Sequence, residues 1–136
     1  MREVEATTFV TETPAELERR LTPAAVLEYE GTFEVTDVTE TDDGWTVTGE
    51  MAGVEVEFDF EKRPDGYHYE QRGEDGPFEH METDVTLTPL NEGTRVTMRS
   101  AVSMALPLSS VTDRVAAWKR RGELQRALDA LEADVS

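Results

Sequence analysis

The chain has no cysteine and no isoleucine, and only one asparagine, two lysines and two histidines among its 136 residues. Without cysteine it can build no disulfide framework, thiolate metal site or cysteine nucleophile. No run approaches the roughly 18 apolar residues of a membrane span. The opening MREVEATTFV is charged and alternating where a signal peptide needs an apolar stretch. Arg19-Arg20 is followed by LTPAAVLEYE, which is too short and too acidic for the apolar region of a twin-arginine export signal. These absences predict a cytoplasmic protein without membrane insertion. The length suits one domain, residues 1–136, burying roughly two-thirds of its unfolded surface.

Positive charge is also scarce. Thirty acids against 13 bases give a formal net charge of -17, far beyond the magnitude of about 2 to 8 that suits a small domain. Such a surface repels nucleic-acid phosphates and anionic lipid heads, so neither is expected as a partner. The one basic cluster, Lys119, Arg120 and Arg121 with Arg114 and Arg126 nearby, scatters around a helix and is expected to pair with acids. A GC-rich genome would account for the missing lysine, asparagine and isoleucine, but not for acids concentrated on outward strand phases. Those favour a protein bathed in salt and surface cations, because molar salt shortens the Debye length to about 3 Å and removes most of the self-repulsion.

What is present is alternation. In VEVEFDFE, residues 54–61, Val54, Val56, Phe58 and Phe60 interleave with four carboxylates, the period of a half-buried strand. Residues 3–11 form a first predicted strand. Thr13-Pro14 then starts a short helix over AELERRL, and Thr22-Pro23 starts a second over AAVLEYE, which Gly31 stops. Turns at DDG 42–44, Ala52-Gly53, RPDG 63–66, EDGP 74–77 and NEG 91–93 cut residues 32–105 into six strands, too closely connected to be anything but an antiparallel meander. The apolar phase slips between Val35 and Val38, which predicts a bulge near Thr36-Asp37 and leaves Asp37 able to point inward. From Pro107 the period becomes helical. Leu108, Val111, Val115 and Trp118 share one face, continued with some rotation by Leu124, Leu128 and Leu131.

An antiparallel sheet with one apolar face must cover that face, and the C-terminal helix is the only element long enough to do so. The expected fold is α+β: a seven-stranded curved antiparallel sheet wrapped around a long C-terminal helix, with two short helices after the first strand. VEATTFVTETPAELERRL, GWTVTGEMAGVEVEFDF, GYHYEQRGEDGPF, and GTRVTMRSAVSMALPL leading to LQRALDALEA give nearly the whole chain a resemblance to the START-like or SRPBCC superfamily, the helix-grip fold of polyketide cyclases and lipid-transfer domains. The resemblance implies a cavity under the long helix that holds a hydrophobic or amphipathic small molecule, lipid or polyketide-like. Two alternatives stay open beside simple binding: a cyclase or dehydratase, and a protein-interaction module of the chaperone-activator kind.

The expected lining follows from strand and helix phase. Trp45, Phe58, Phe60, Tyr67, Tyr69, Val115 and Trp118 provide bulk. Met51, Met81 and Met98 provide adaptable surface. Gln71, Glu79, Thr83 and Ser100 provide polar groups that must find partners if buried. His68 shares its phase with Glu70, and His80 with Glu82, so both are expected on the outer face. No metal-ligand motif, Ser-His-Asp arrangement or glycine-rich phosphate loop is present, and no metal or cofactor is expected. The oligomeric state is not legible.

Overall fold

A computed structural model describes residues 2–73, 80–103 and 109–135. Strand β1 (Arg2–Val10) is followed by helices α1 (Pro14–Arg20) and α2 (Pro23–Glu30). Strands β2 (Glu34–Glu40), β3 (Gly44–Met51), β4 (Val54–Arg63), β5 (Gly66–Arg72), β6 (His80–Leu90) and β7 (Gly93–Ser103) come next, and helix α3 (Ser109–Val135) closes the order. The seven strands form one antiparallel sheet in the order β1-β7-β6-β5-β4-β3-β2. With α3 packed on β1, β7 and α2, this is the α+β helix-grip arrangement.

The local chemistry explains the elements. Thr13 and Glu16 form a reciprocal capping box at the start of α1, and Thr22 accepts from the Ala25 N–H at the start of α2. Gly31 ends α2 in the left-handed region at φ 76°, where its N–H reaches the Leu27 carbonyl. Arg126 of α3 also donates to the Glu30 carbonyl at 2.7 Å, so the end of α2 is tied to the long helix. In β4, Val56, Phe58 and Phe60 are buried while Glu55, Glu57 and Glu61 are exposed, but Val54, expected on the same buried phase, is 46% exposed at the strand's start.

The predicted bulge is present, with the β2–β3 register shifting between Val35 and Asp37. Asp37 does not turn inward there. It is exposed and accepts a hydrogen bond from Thr39, because β2 is an edge strand with almost no buried face. Strand β7 ends at Ser103, so the end of the strand predicted to run to residue 105 lies outside the described residues.

The larger correction concerns α3. Its buried face carries Ala116, Ala117, Arg120, Glu123, Leu124, Ala127, Leu128 and Leu131, while Val115 and Trp118 are 56% and 75% exposed. At 3.6 residues per turn, Leu124 lies about 120° around the helix from Trp118, so the two apolar groups cannot share one face. The sheet takes the leucine side. Among the described residues, no helix is long and apolar enough to cross a membrane.

Candidate functional site

The expected lining residues fall into three groups. Phe58, Phe60, Tyr67, Tyr69, Gln71, Met81, Thr83, Met98 and Ser100 are buried on the concave side of the sheet, and Trp45 is half-buried at its rim. Met51, at the end of β3, is 38% exposed, and with Val115 and Trp118 it lies outside the interior. Glu79 lies outside the described residues.

The aromatic residues form one cluster. The Phe60 ring stacks on Tyr69 with centroids 4.5 Å apart, and Phe58 meets Tyr69 and Phe33 edge-on at 6.4 and 5.3 Å. Trp45 and Phe60 both meet Tyr67 edge-on. The apolar cavity between the helices and β6–β7, bounded by Val26, Val85, Val96, Met98 and Leu128, measures about 20 Å³, near the minimum for one water molecule.

A charged network occupies the middle of this interior. Arg120 of α3 is 2% exposed and commits every N–H donor of its guanidinium. Nε donates to Ser100 at 3.0 Å, while one terminal nitrogen donates to Tyr69 and to Thr83, each at 2.7 Å. The other terminal nitrogen donates to Glu30 and, at 3.2 Å, to Glu123. The Tyr69 hydroxyl donates to the second Glu30 oxygen. Thr83 and Ser100 bond each other at 2.9 Å, and Ser100 also reaches the Glu82 carbonyl. Glu123 accepts from Thr32 at 2.6 Å and from Lys119 at the rim. Two cations thus stand against two carboxylates, held by α2, α3, β5, β6 and β7.

The two carboxylates differ in character. Burial pushes the Glu30 carboxyl above its ordinary value, against the opposing pull of Arg120 and the Tyr69 hydrogen bond. Burial acts on Glu123 in the same sense, but Arg120, Thr32 and Lys119 outweigh it and hold that carboxyl below the ordinary range. Tyr69 is pushed up by burial and by Glu30, so its hydroxyl stays protonated.

The pH signature follows. Folded Glu30 binds its proton more tightly than the unfolded chain does, so its contribution to stability falls as pH rises from 4.5 through its raised value. Glu123 runs the other way: its contribution is complete above 4.5 and is lost as pH falls through its lowered value. In melting curves recorded against pH, Glu30→Gln is expected to remove a decline on the upper side of 4.5, and Glu123→Gln to remove a loss on the acid side.

Sequence reading found Tyr69, Thr83 and Ser100 but not their partners. Arg120, Glu30 and Glu123 had a legible signal: Arg120 is four residues from both Ala116 and Leu124, and Glu30 follows Val26 and Leu27 at helical spacing. Charge on an apolar phase marks a buried ion.

Both histidines sit on the outer side, as expected. His68 lies 2.8 Å from Asp84 and 3.3 Å from Glu70. Burial lowers its pKa, but those two carboxylates outweigh it and hold the ring above its ordinary value. Its ring, Glu70 and Glu82 bring donor atoms within 4.8 Å of one another, a proximity that linear spacing did not predict.

With this geometry in view, the family can be assigned. The model of the family described as polyketide cyclase / dehydrase and lipid transport matches residues 1–136. The chain belongs to this family. Solved structures of the same fold include XoxI from Bacillus cereus (TM-score 0.74, 12% identity, covering 99% of this chain and 96% of that one). A protein of Thermus thermophilus matches with TM-score 0.71 and 17% identity over 98% and 97% of the two chains. A START superfamily protein from Mycobacterium smegmatis matches with TM-score 0.69 and 17% identity over 98% and 96%. At these identities the likeness is one of fold. No curated protein matches the chain.

Proposed function

We propose that this chain, as one cytoplasmic domain over residues 1–136, binds an amphipathic small molecule of lipid or polyketide-like character between the sheet and α3. The apolar part would lie against Phe58, Phe60, Met81 and Met98, and its polar part would face Arg120, Tyr69, Thr83 and Ser100. The observation that carries this reading is the fully engaged, buried Arg120 network on the face that the family uses for binding. A buried ion pair is weak evidence for stability, because apolar residues of similar volume often serve the fold as well or better. The placement of an arginine with two glutamates on the concave side is therefore better explained by recognition. Among the described residues the apolar cavity between the helices and β6–β7 is only about 20 Å³, so a ligand entering there must displace side chains or lift α3 from the sheet.

The test is organic extraction and mass spectrometry of protein purified in high salt. A discrete apolar compound, retained by wild type and depleted in Thr83→Val, is expected. An empty wild type that also fails to take up long-chain fatty acids and aromatic polyketides would remove the reading.

A second reading, cyclase or dehydratase chemistry, is favoured by the contact between Glu30 and Tyr69, a carboxyl shifted upward by burial that accepts from a hydroxyl beside a fixed cation. Turnover that disappears in Glu30→Gln while binding persists would select it.

The acidic surface supports a salt-rich working environment. Glu34, Glu50 and Glu55 stand opposite one another across β2–β3–β4, as do Asp59, Glu70 and Glu82 across β4–β5–β6. Directly opposed like charges are destabilising. Raising KCl from about 0.1 M to about 3 M should therefore raise the melting temperature by screening them, and an unchanged value would count against this environment.

A further inference from the structure

We propose that the outer face of α3 is an interface between two copies of this chain, packed antiparallel about a two-fold axis near Gly122. Trp118 is the most exposed large apolar side chain described, at 75%, and Val115 beside it is 56% exposed. The sheet leaves this face entirely to solvent.

Gly122 follows Trp118 by one turn. A Cβ placed there would meet nothing within 4 Å, so no contact inside the chain calls for glycine at a position where it weakens a helix. Gly122 sits in a shallow, open depression bordered by Trp118, Lys119, Arg121, Gln125 and Arg126. A second helix can approach closely at such a place, with the partner's indole laid against the backbone that Gly122 leaves uncovered.

Charge fixes the occupant and its direction. The exposed stripe runs from Arg114 through Trp118, Arg121, Gly122 and Gln125 to Asp129, basic at one end and acidic at the other. Arg114 precedes Gly122 by eight residues and Asp129 follows it by seven, so they lie about 12 and 10.5 Å from it along the axis. Antiparallel packing about Gly122 sets each Arg114 against the other copy's Asp129. Parallel packing would set Arg114 against Arg114 at the helix end, whereas the two Arg121 lie near the axis in either arrangement. A self-complementary patch of this kind is what a two-fold contact requires. The rest of the molecule, at net charge -17, repels a second copy, so association strengthens as salt screens that repulsion. One pair of crossing helices buries less than the roughly 1,200–2,000 Å² of a standard interface, so the dimer depends on concentration.

Sedimentation equilibrium of the full chain in about 2 M KCl tests the proposal. Weight-average mass is expected to climb from 15.2 kDa towards twice that value with rising protein concentration, with a blue shift of tryptophan emission. Trp118→Glu and Gly122→Gln should stay monomeric, with circular dichroism matching wild type to show that they fold. Arg114→Asp should weaken association at least tenfold, and adding Asp129→Arg to the same chain should restore it. A wild type that stays monomeric throughout overturns the proposal, as does dimerisation indifferent to Trp118→Glu. A charge reversal without effect, or without rescue, overturns the antiparallel geometry.

Discussion

Arg120→Met is expected to lower folding stability by about 3–5 kcal/mol, the cost of leaving buried charge without its partner. The substitution keeps much of the side chain's volume but leaves Glu30, 3% exposed, without its cation and equally buried Glu123 with Lys119 and Thr32 alone. It also removes the donors to Tyr69, Thr83 and Ser100. Urea unfolding at neutral pH reads the loss directly. Adding Glu30→Leu and Glu123→Leu to the same chain should recover most of it, because an apolar cluster of similar volume is often neutral or stabilising relative to a buried ion network. That triple variant separates the two roles of the network. If it is stable and no longer retains a ligand, the charges serve recognition. If it is stable and still binds, they do not. If Arg120→Met alone costs under about 1 kcal/mol, the guanidinium is more hydrated than the buried network implies.

Phe58→Ala carries the second large effect. Phe58 is 1% exposed and wedged edge-on between Phe33 and Tyr69. Truncating such a ring typically costs about 3–5 kcal/mol, the larger values belonging to sites that cannot collapse. Here the ring is braced by sheet and aromatics, so the space should persist beside Tyr69 rather than close. A persistent apolar cavity stays dry and takes up small apolar molecules. Phe58→Ala should therefore regain part of its lost melting temperature in the presence of benzene, while wild type does not respond. A cost below about 2 kcal/mol without benzene uptake would mean that the surrounding side chains close over the gap, and that the interior can reshape itself around contents.

Much of this fold is legible in the sequence because a strand's periodicity is local. Val54 to Phe60 can be assigned to two faces from the order of residues alone, and Thr13, Thr22, Gly31 and the turn glycines mark the boundaries where backbone geometry demands them. The bulge at Val35–Asp37 is readable for the same reason. The helix is harder. Trp118 and Val115 dominate any count of apolar residues along α3, yet the buried face is built of alanines and leucines interrupted by Arg120 and Glu123. Side-chain bulk points to the solvent face of α3, whereas small residues and a paired arginine mark the buried one. The network itself joins side chains from five elements, and their mutual satisfaction appears only once the chain has folded.

That separation in sequence has a kinetic meaning. The strands from β2 to β7 pair with their immediate successors in sequence, contacts that close early and cheaply in loop entropy. Glu30 and Arg120, by contrast, are 90 positions apart. During synthesis the meander can therefore assemble while the guanidinium that completes the interior has yet to leave the ribosome. Until then the concave aromatic surface stands uncovered, an open cup awaiting its lid. For the binding role proposed above, a nascent chain would offer an apolar ligand its greatest access before α3 arrives.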